Sequence, residues 1–130
     1  MMTAGEQRGA AAVTAAISVG TAMGVDVVAC EALEASSSGI LQDIGSWLVT
    51  AGYTRTGFVE ALLEREASFP TGLPTSPLGV AVPHAEGEYA LRPVLVCCRP
   101  IKPVFFHRMD EPSSTVSASL VLVLVIDQPE

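Results

Sequence analysis

From Ser38 to Ala51 the chain reads SGILQDIGSWLVTA, and its apolar residues Ile40, Leu41, Ile44, Trp47 and Leu48 fall on one face of a 3.6-residue period. This predicts an amphipathic helix that Gly52 closes as a C-terminal cap. A second stripe, Phe58, Ala61, Leu62 and Ala67, runs through TRTGFVEALLEREAS and predicts another helix, with Thr54 as its polar cap candidate and "GY" joining the two. The next stretch, FPTGLPTSPLG, holds three prolines and two glycines in eleven residues and predicts a shaped loop. Beyond it lie GVAVP, PVLVCC, PVFF and SASLVLVLVI, β-branched-rich runs separated by Pro, Gly and charged residues. The last is apolar at both alternating sets of positions and reads as a central strand covered on two sides. With VDVVAC as the first strand, the pattern predicts an α/β fold, a sheet flanked by helices.

A strand as apolar as LVLVLVI calls for cover on both faces, and two confident helices precede it. The closing residues suit the start of a further helix, with Asp127 as N-cap and Pro129 and Glu130 in its first turn. The expectation is therefore a domain whose last helices are missing. Its uncovered sheet face would promote association, as a homo-oligomer or by lending an element to a neighbour, or else aggregation.

The chain of 130 residues is sized for one core. Its expected parts are a poorly ordered head over residues 1–24 and a domain over 25–130. The head admits a second reading, because RGAAAVTAAISVGTAMGVDVVAC loosely resembles a lipoprotein signal ending in a lipidated cysteine. Asp26, Glu6 and the Ala/Gly-rich composition weigh against export. No run is long and apolar enough for a membrane-spanning helix.

A formal net charge of -7, with only seven scattered Lys and Arg, argues against a phosphate-backbone-binding surface and so against a nucleic-acid partner. It suits transient contact with a basic protein surface, although such a charge usually means only solubility. Cys30, Cys97 and Cys98 lack CxxC spacing and read as small buried residues of a reducing cytosol. His84 and His107 are too few and too separated to suggest a metal site.

In GVAVPHAEGEY, His84 follows Pro83 at the end of an apolar run, where side chains emerge beside loops. It can be a base, a ligand, a nucleophile or an ordinary loop histidine. Arg65 ends the second predicted helix, either complementing the helix dipole or clamping an anion held by the following loop. Thr71 and Gly72 make a plain turn, or a hydroxyl and an amide that bind an anionic oxygen. His107, with Arg108 and Asp110, reads as part of a turn, and Asp110 and Glu111 as a solvated loop tip.

Taken together, residues 65–84, REASFPTGLPTSPLGVAVPH, resemble the active-site signature of the enzyme IIA domains of the bacterial phosphoenolpyruvate-dependent sugar phosphotransferase system, in the mannitol/fructose superfamily. The FPTGLP and PLGVAVPH segments are most similar to galactitol-type members. The resemblance implies a three-layer α/β/α sandwich with a mixed central sheet, in a cytoplasmic phosphotransferase component. It places the phosphorylated histidine on His84 and the arginine beside it on Arg65, while Thr71 and Gly72 stay the candidate binding residues of the loop between them. The implied donor is the phosphohistidine of the carrier protein HPr, and the implied acceptor is a cysteine of enzyme IIB. The membrane enters only through enzyme IIC, and no cofactor or metal is implied. Two other readings carry the same fold: a regulatory domain whose phosphorylation state is sensed in transcription or nitrogen control, and a non-catalytic relic.

Overall fold

The computed structural model describes residues 18–126. Most of the expected head, and the cap expected at Asp127, lie outside the described residues. In chain order the elements are strands β1 (Ser18–Ala22) and β2 (Val25–Ala32), helices α1 (Ser37–Thr50) and α2 (Phe58–Ser68), then strands β3 (Gly72–Leu73), β4 (Gly79–Ala81), β5 (Val94–Pro100), β6 (Val104–His107) and β7 (Thr115–Val125). A 3₁₀ turn, Gly87–Tyr89, follows His84.

The strands form one seven-stranded mixed sheet in the order β1-β2-β5-β7-β4-β3, with β6 also paired to β7. The β2/β5 and β4/β7 pairs are parallel and the others antiparallel. β7 is interior, as its apolar pattern predicts. Its Ala118 pairs with Val104 of β6 and Gly79 of β4, and its Val121 pairs with Cys98 of β5 and Ala81 of β4. β5 and β6 therefore follow one another along one edge of β7, and β4 lies along the other.

Both helices cover one face of the sheet. Val28 and Cys30 of β2, Val94, Val96 and Cys98 of β5, and Val121, Val123 and Val125 of β7 alternate into a single core with Ile40, Leu41, Ile44 and Leu48 of α1 and Phe58 and Leu62 of α2. Each such side chain contributes about 1.5–3 kcal/mol by leaving water. On the opposite face Val27, Leu95, Leu120 and Leu122 are half-buried and Leu124 is exposed. Among the described residues, β7 is thus covered fully on its helix side only.

Capping fixes where the helices begin and end. Ser36 Oγ accepts the Gly39 N–H at 3.0 Å and starts α1. At the other end Gly52, at φ 87°, gives its N–H to Val49 O and lets Tyr53 N–H reach Leu48 O at 2.9 Å, a Schellman closure. α2 starts where its stripe does, at Phe58, and later than a cap at Thr54 would place it. Thr54 is buried and bridged to Ala90, and Gly57, at φ 98°, is the N-cap. A side-chain cap at Thr54 is displaced by a backbone turn in which Phe58 N–H binds Arg55 O. α2 consequently buries Phe58 and Leu62, while Ala67 is exposed.

Two further expectations change. Ser18–Ala22, inside the expected head, is a strand paired with β2. His107 is the last residue of β6, paired with Thr115, rather than part of a turn.

Candidate functional site

The last turn of α2 carries Arg65 and Glu66 side by side, and each is tied to the segment that bears His84. Arg65 Nη1 donates to Glu86 Oε2 at 2.7 Å, two residues beyond His84. The guanidinium also stacks over Phe69, 4.7 Å from the ring centroid. Its Nε is buried and has no hydrogen-bond partner among the described residues. Phe69 caps α2 by donating its N–H to Arg65 O at 2.7 Å, which holds ring and guanidinium in one turn.

Glu66 points toward the other side of His84. Its Oε2 accepts the Thr71 N–H at 2.9 Å and its Oε1 accepts the Thr71 hydroxyl at 2.8 Å. Thr71 is 2% exposed. Its Oγ1 in turn accepts the Val82 N–H at 3.1 Å, two residues before His84. Burial pushes the Glu66 carboxyl above its ordinary value, opposed by the two Thr71 hydrogen bonds and by His84 and His107.

Gly72 fits where a side chain does not. A Cβ there would stand 2.6 Å from His107 O and 2.7 Å from Val116 Cγ1, because β3 crosses closely over the end of β6. Gly72 O accepts the Met109 N–H at 2.8 Å, locking that crossing.

His84 is half-buried, and its Nδ1 lies 3.0 Å from Val82 O. A carbonyl oxygen can only accept, so Nδ1 carries the hydrogen, and in the neutral ring the lone pair is on Nε2. Pro83, buried, has its carbonyl 3.4 Å from the Leu124 N–H. The imidazole therefore stands on a backbone held to β7 on one side and to Thr71 on the other.

Two clefts flank the α2 turn. One, of about 290 Å³, is lined by Arg65, Phe69, Glu86, Glu88 and Tyr89 among others. The other, of about 200 Å³, lies between Ser37 and Ser38 of α1 and Glu66, Phe106 and His107. His107 is exposed, its Nδ1 bonded to Pro112 O at 2.9 Å. Arg108 is gripped by Asp110 through two bonds of 2.9 and 2.6 Å. Among the described residues no group of three or more His, Cys, Asp or Glu side chains is placed to hold a metal. No helix among them is long and apolar enough to cross a membrane.

Arg65, Thr71, Gly72 and His84 thus belong to one end of the sheet. Thr71 differs from its sequence expectation in what it faces, since both of its donors are directed to Glu66. Sequence reasoning passed over Glu66 and Glu86. Their only signals were adjacency: Glu66 follows Arg65, and Glu86 lies two residues past His84. Arg65 lines the larger cleft and His84 lines neither; the two are linked through Glu86, two residues past the histidine.

Residues 25–130 match the family described as phosphoenolpyruvate-dependent sugar phosphotransferase system, EIIA 2. The chain is 32% identical over 93 residues to the galactitol-specific EIIA component of the PTS system of Escherichia coli K12, covering 72% of this chain and 61% of that protein. It therefore spans about 61% of the length of the curated relatives it matches. The crystal structure of IIA mannitol from Escherichia coli superposes with a TM-score of 0.59 at 29% identity, over 75% of this chain and 67% of that one. The Escherichia coli complex of enzyme IIA-Mtl with phosphorylated enzyme IIB-Mtl gives 0.61 at 27% identity, over 75% and 65%. The nitrogen regulatory protein IIA-Ntr of Neisseria meningitidis shares the fold, with a TM-score of 0.59 at 21% identity over 79% and 66%.

Proposed function

This chain belongs to the EIIA 2 family of the phosphoenolpyruvate-dependent sugar phosphotransferase system, and on that footing we propose that His84 is its phosphoryl acceptor, through Nε2. The observation that carries this is the bond from Nδ1 to the Val82 carbonyl, which leaves Nε2 as the ring's nucleophilic atom.

In the proposed step the Nε2 lone pair attacks the phosphorus of the HPr phosphohistidine. A new N–P bond forms as the old one breaks, and the donor imidazole recovers its electron pair. The hydrogen on Nδ1 stays where it is and stabilises the charge that the ring gains. A thiolate of enzyme IIB then attacks the same phosphorus, forming an S–P bond and returning the lone pair to Nε2. Such transfer depends on alignment and on compensation of charge over the equatorial oxygens.

Arg65 would supply that compensation. Its Nε is a buried donor without a partner among the described residues, and its Nη1 is held by an exposed carboxylate that a phosphoryl dianion can outcompete. Thr71 and Gly72 support the phosphoryl site, Thr71 through Val82 and Gly72 by admitting the close crossing of β3 over β6. The galactitol-specific relatives support uptake of a galactitol-like sugar over a regulatory role. Enzyme IIA-Mtl has been seen with enzyme IIB, which supports a IIB partner here. The reaction belongs in the cytoplasm, with enzyme IIC as the route to the membrane.

The test is incubation with phosphoenolpyruvate, enzyme I and HPr. The expected result is acid-labile phosphate on the wild type and none on His84→Ala, with onward transfer to a galactitol-type IIB. Absence of label on the wild type would leave the relic reading.

A further inference from the structure

Glu66 is connected to His84 through a continuous set of hydrogen bonds. Its Oε1 accepts the only hydrogen of the Thr71 hydroxyl, at 2.8 Å, which aims the hydroxyl's lone pairs away from Glu66. One of those lone pairs receives the Val82 N–H at 3.1 Å, and the other face of the same residue, Val82 O, receives His84 Nδ1–H at 3.0 Å. Thr71 O also lies 3.3 Å from the Val82 N–H, so this N–H is shared between two Thr71 oxygens.

The direction of the set is determined by Glu66. An ionised carboxylate accepts and does not donate, so the Thr71 hydroxyl must donate to it and must accept from Val82. Without that acceptor the hydroxyl is free to rotate, and the Val82 N–H keeps only its longer bond to Thr71 O, so the Val82 backbone that carries the next peptide's carbonyl toward His84 is held less firmly. The carbonyl that selects the Nδ1–H tautomer belongs to this residue. A second fact supports the role: both carboxyl oxygens are engaged by Thr71, and these two bonds offset part of what burial costs the charge.

Resting on the reading of His84 as phosphoryl acceptor, we propose that Glu66 is a positioning residue that sets the His84 tautomer through Thr71 and Val82 and thereby directs phosphorylation to Nε2. It touches no reacting atom. Its effect is on which ring nitrogen carries the lone pair and where that lone pair points, and misplacing a reacting group by about 1 Å is enough to slow transfer by as much as ~100-fold.

The experiment is nitrogen-15 NMR of the histidine rings in full-length wild type, Glu66→Ala, Thr71→Val and Thr71→Ser, with phosphate acceptance from phosphorylated HPr measured on the same samples. The wild type and Thr71→Ser are expected to show a protonated Nδ1 and a bare Nε2 on His84. Glu66→Ala and Thr71→Val are expected to show the two tautomers mixed, with acceptance slowed about tenfold or more. Thr71→Val is nearly isosteric, so should Glu66→Ala not fold, the Val and Ser pair decides. A wild-type tautomer and a wild-type rate in Thr71→Val would overturn the proposal. A tautomer shift in the variants with no label on the wild type would instead overturn the acceptor role and leave the positioning set standing.

Discussion

Thr71 gives both of its hydrogens to the two oxygens of one carboxylate, Glu66, at 2.9 and 2.8 Å, although the residues are five apart across the end of a helix. This pair turns a proline-rich loop into a fixed support. It joins the end of α2 to the approach to His84, while Arg65 and Glu86 join the same helical turn to the segment that follows it. The histidine is held between two ties from neighbouring residues of one helix.

Arg65→Ala should retain the fold and slow phosphoryl acceptance by about 10²-fold, the loss seen when a donor to a developing charge is removed. Arg65→Lys should recover only part of it, because an ammonium lacks the paired donors of a guanidinium. Stopped-flow transfer from phosphorylated HPr, with circular dichroism as the fold control, checks both. Unfolding of Arg65→Ala would instead assign Arg65 to the helix end as a structural residue.

Glu86→Gln removes the carboxylate that holds Arg65 in the unphosphorylated chain. The pair is well exposed, 35% for Arg65 and 63% for Glu86, so thermal stability should move little. Acceptance should rise by a factor of roughly 2–5, the scale of one exposed ion pair released. A slower rate would mean that Glu86 positions Arg65 rather than competing for it.

Glu66 also predicts a pH dependence. Its carboxyl is held above the ordinary 4.5 by burial, so between that value and its folded value the folded chain binds more protons than the unfolded one. Stability from this group is complete below about 4.5 and is lost as pH rises through the folded value. Urea unfolding of wild type and Glu66→Gln from acid to neutral pH should show the wild type losing ground to the variant as pH rises. A difference that stays constant across the range contradicts the shift.

Gly72→Ala places a methyl group 2.6 Å from His107 O and 2.7 Å from Val116. Relief requires β3 to move off the end of β6, and the destabilisation should be about 1–3 kcal/mol in urea. The same shift would displace Thr71, the next residue back, so phosphate acceptance should fall with it. Unchanged stability would show that the crossing is looser than its geometry.

Much of this was readable from the chain. The stripe from Ile40 to Leu48 gave α1 almost to its ends, and the two-sided apolar pattern of β7 gave its interior place, since both follow from local periodicity. The start of α2 was misread because Gly57 uses a backbone conformation open to glycine, while Thr54 is drawn into a bridge with Ala90, 36 positions away. His84 and Arg65 are candidates in the sequence because the family resemblance marks them. Glu66 and Glu86 are not, because a glutamate's partner is fixed by which backbone segments cross, and an exposed surface glutamate has the same letter.

The most direct measurement is phosphate transfer from phosphoenolpyruvate through enzyme I and HPr to this chain, followed by phosphorus-31 NMR of the labelled protein. The expected result is one acid-labile phosphohistidine, on Nε2 of His84, abolished in His84→Ala. Label that persists in a folded His84→Ala would contradict it.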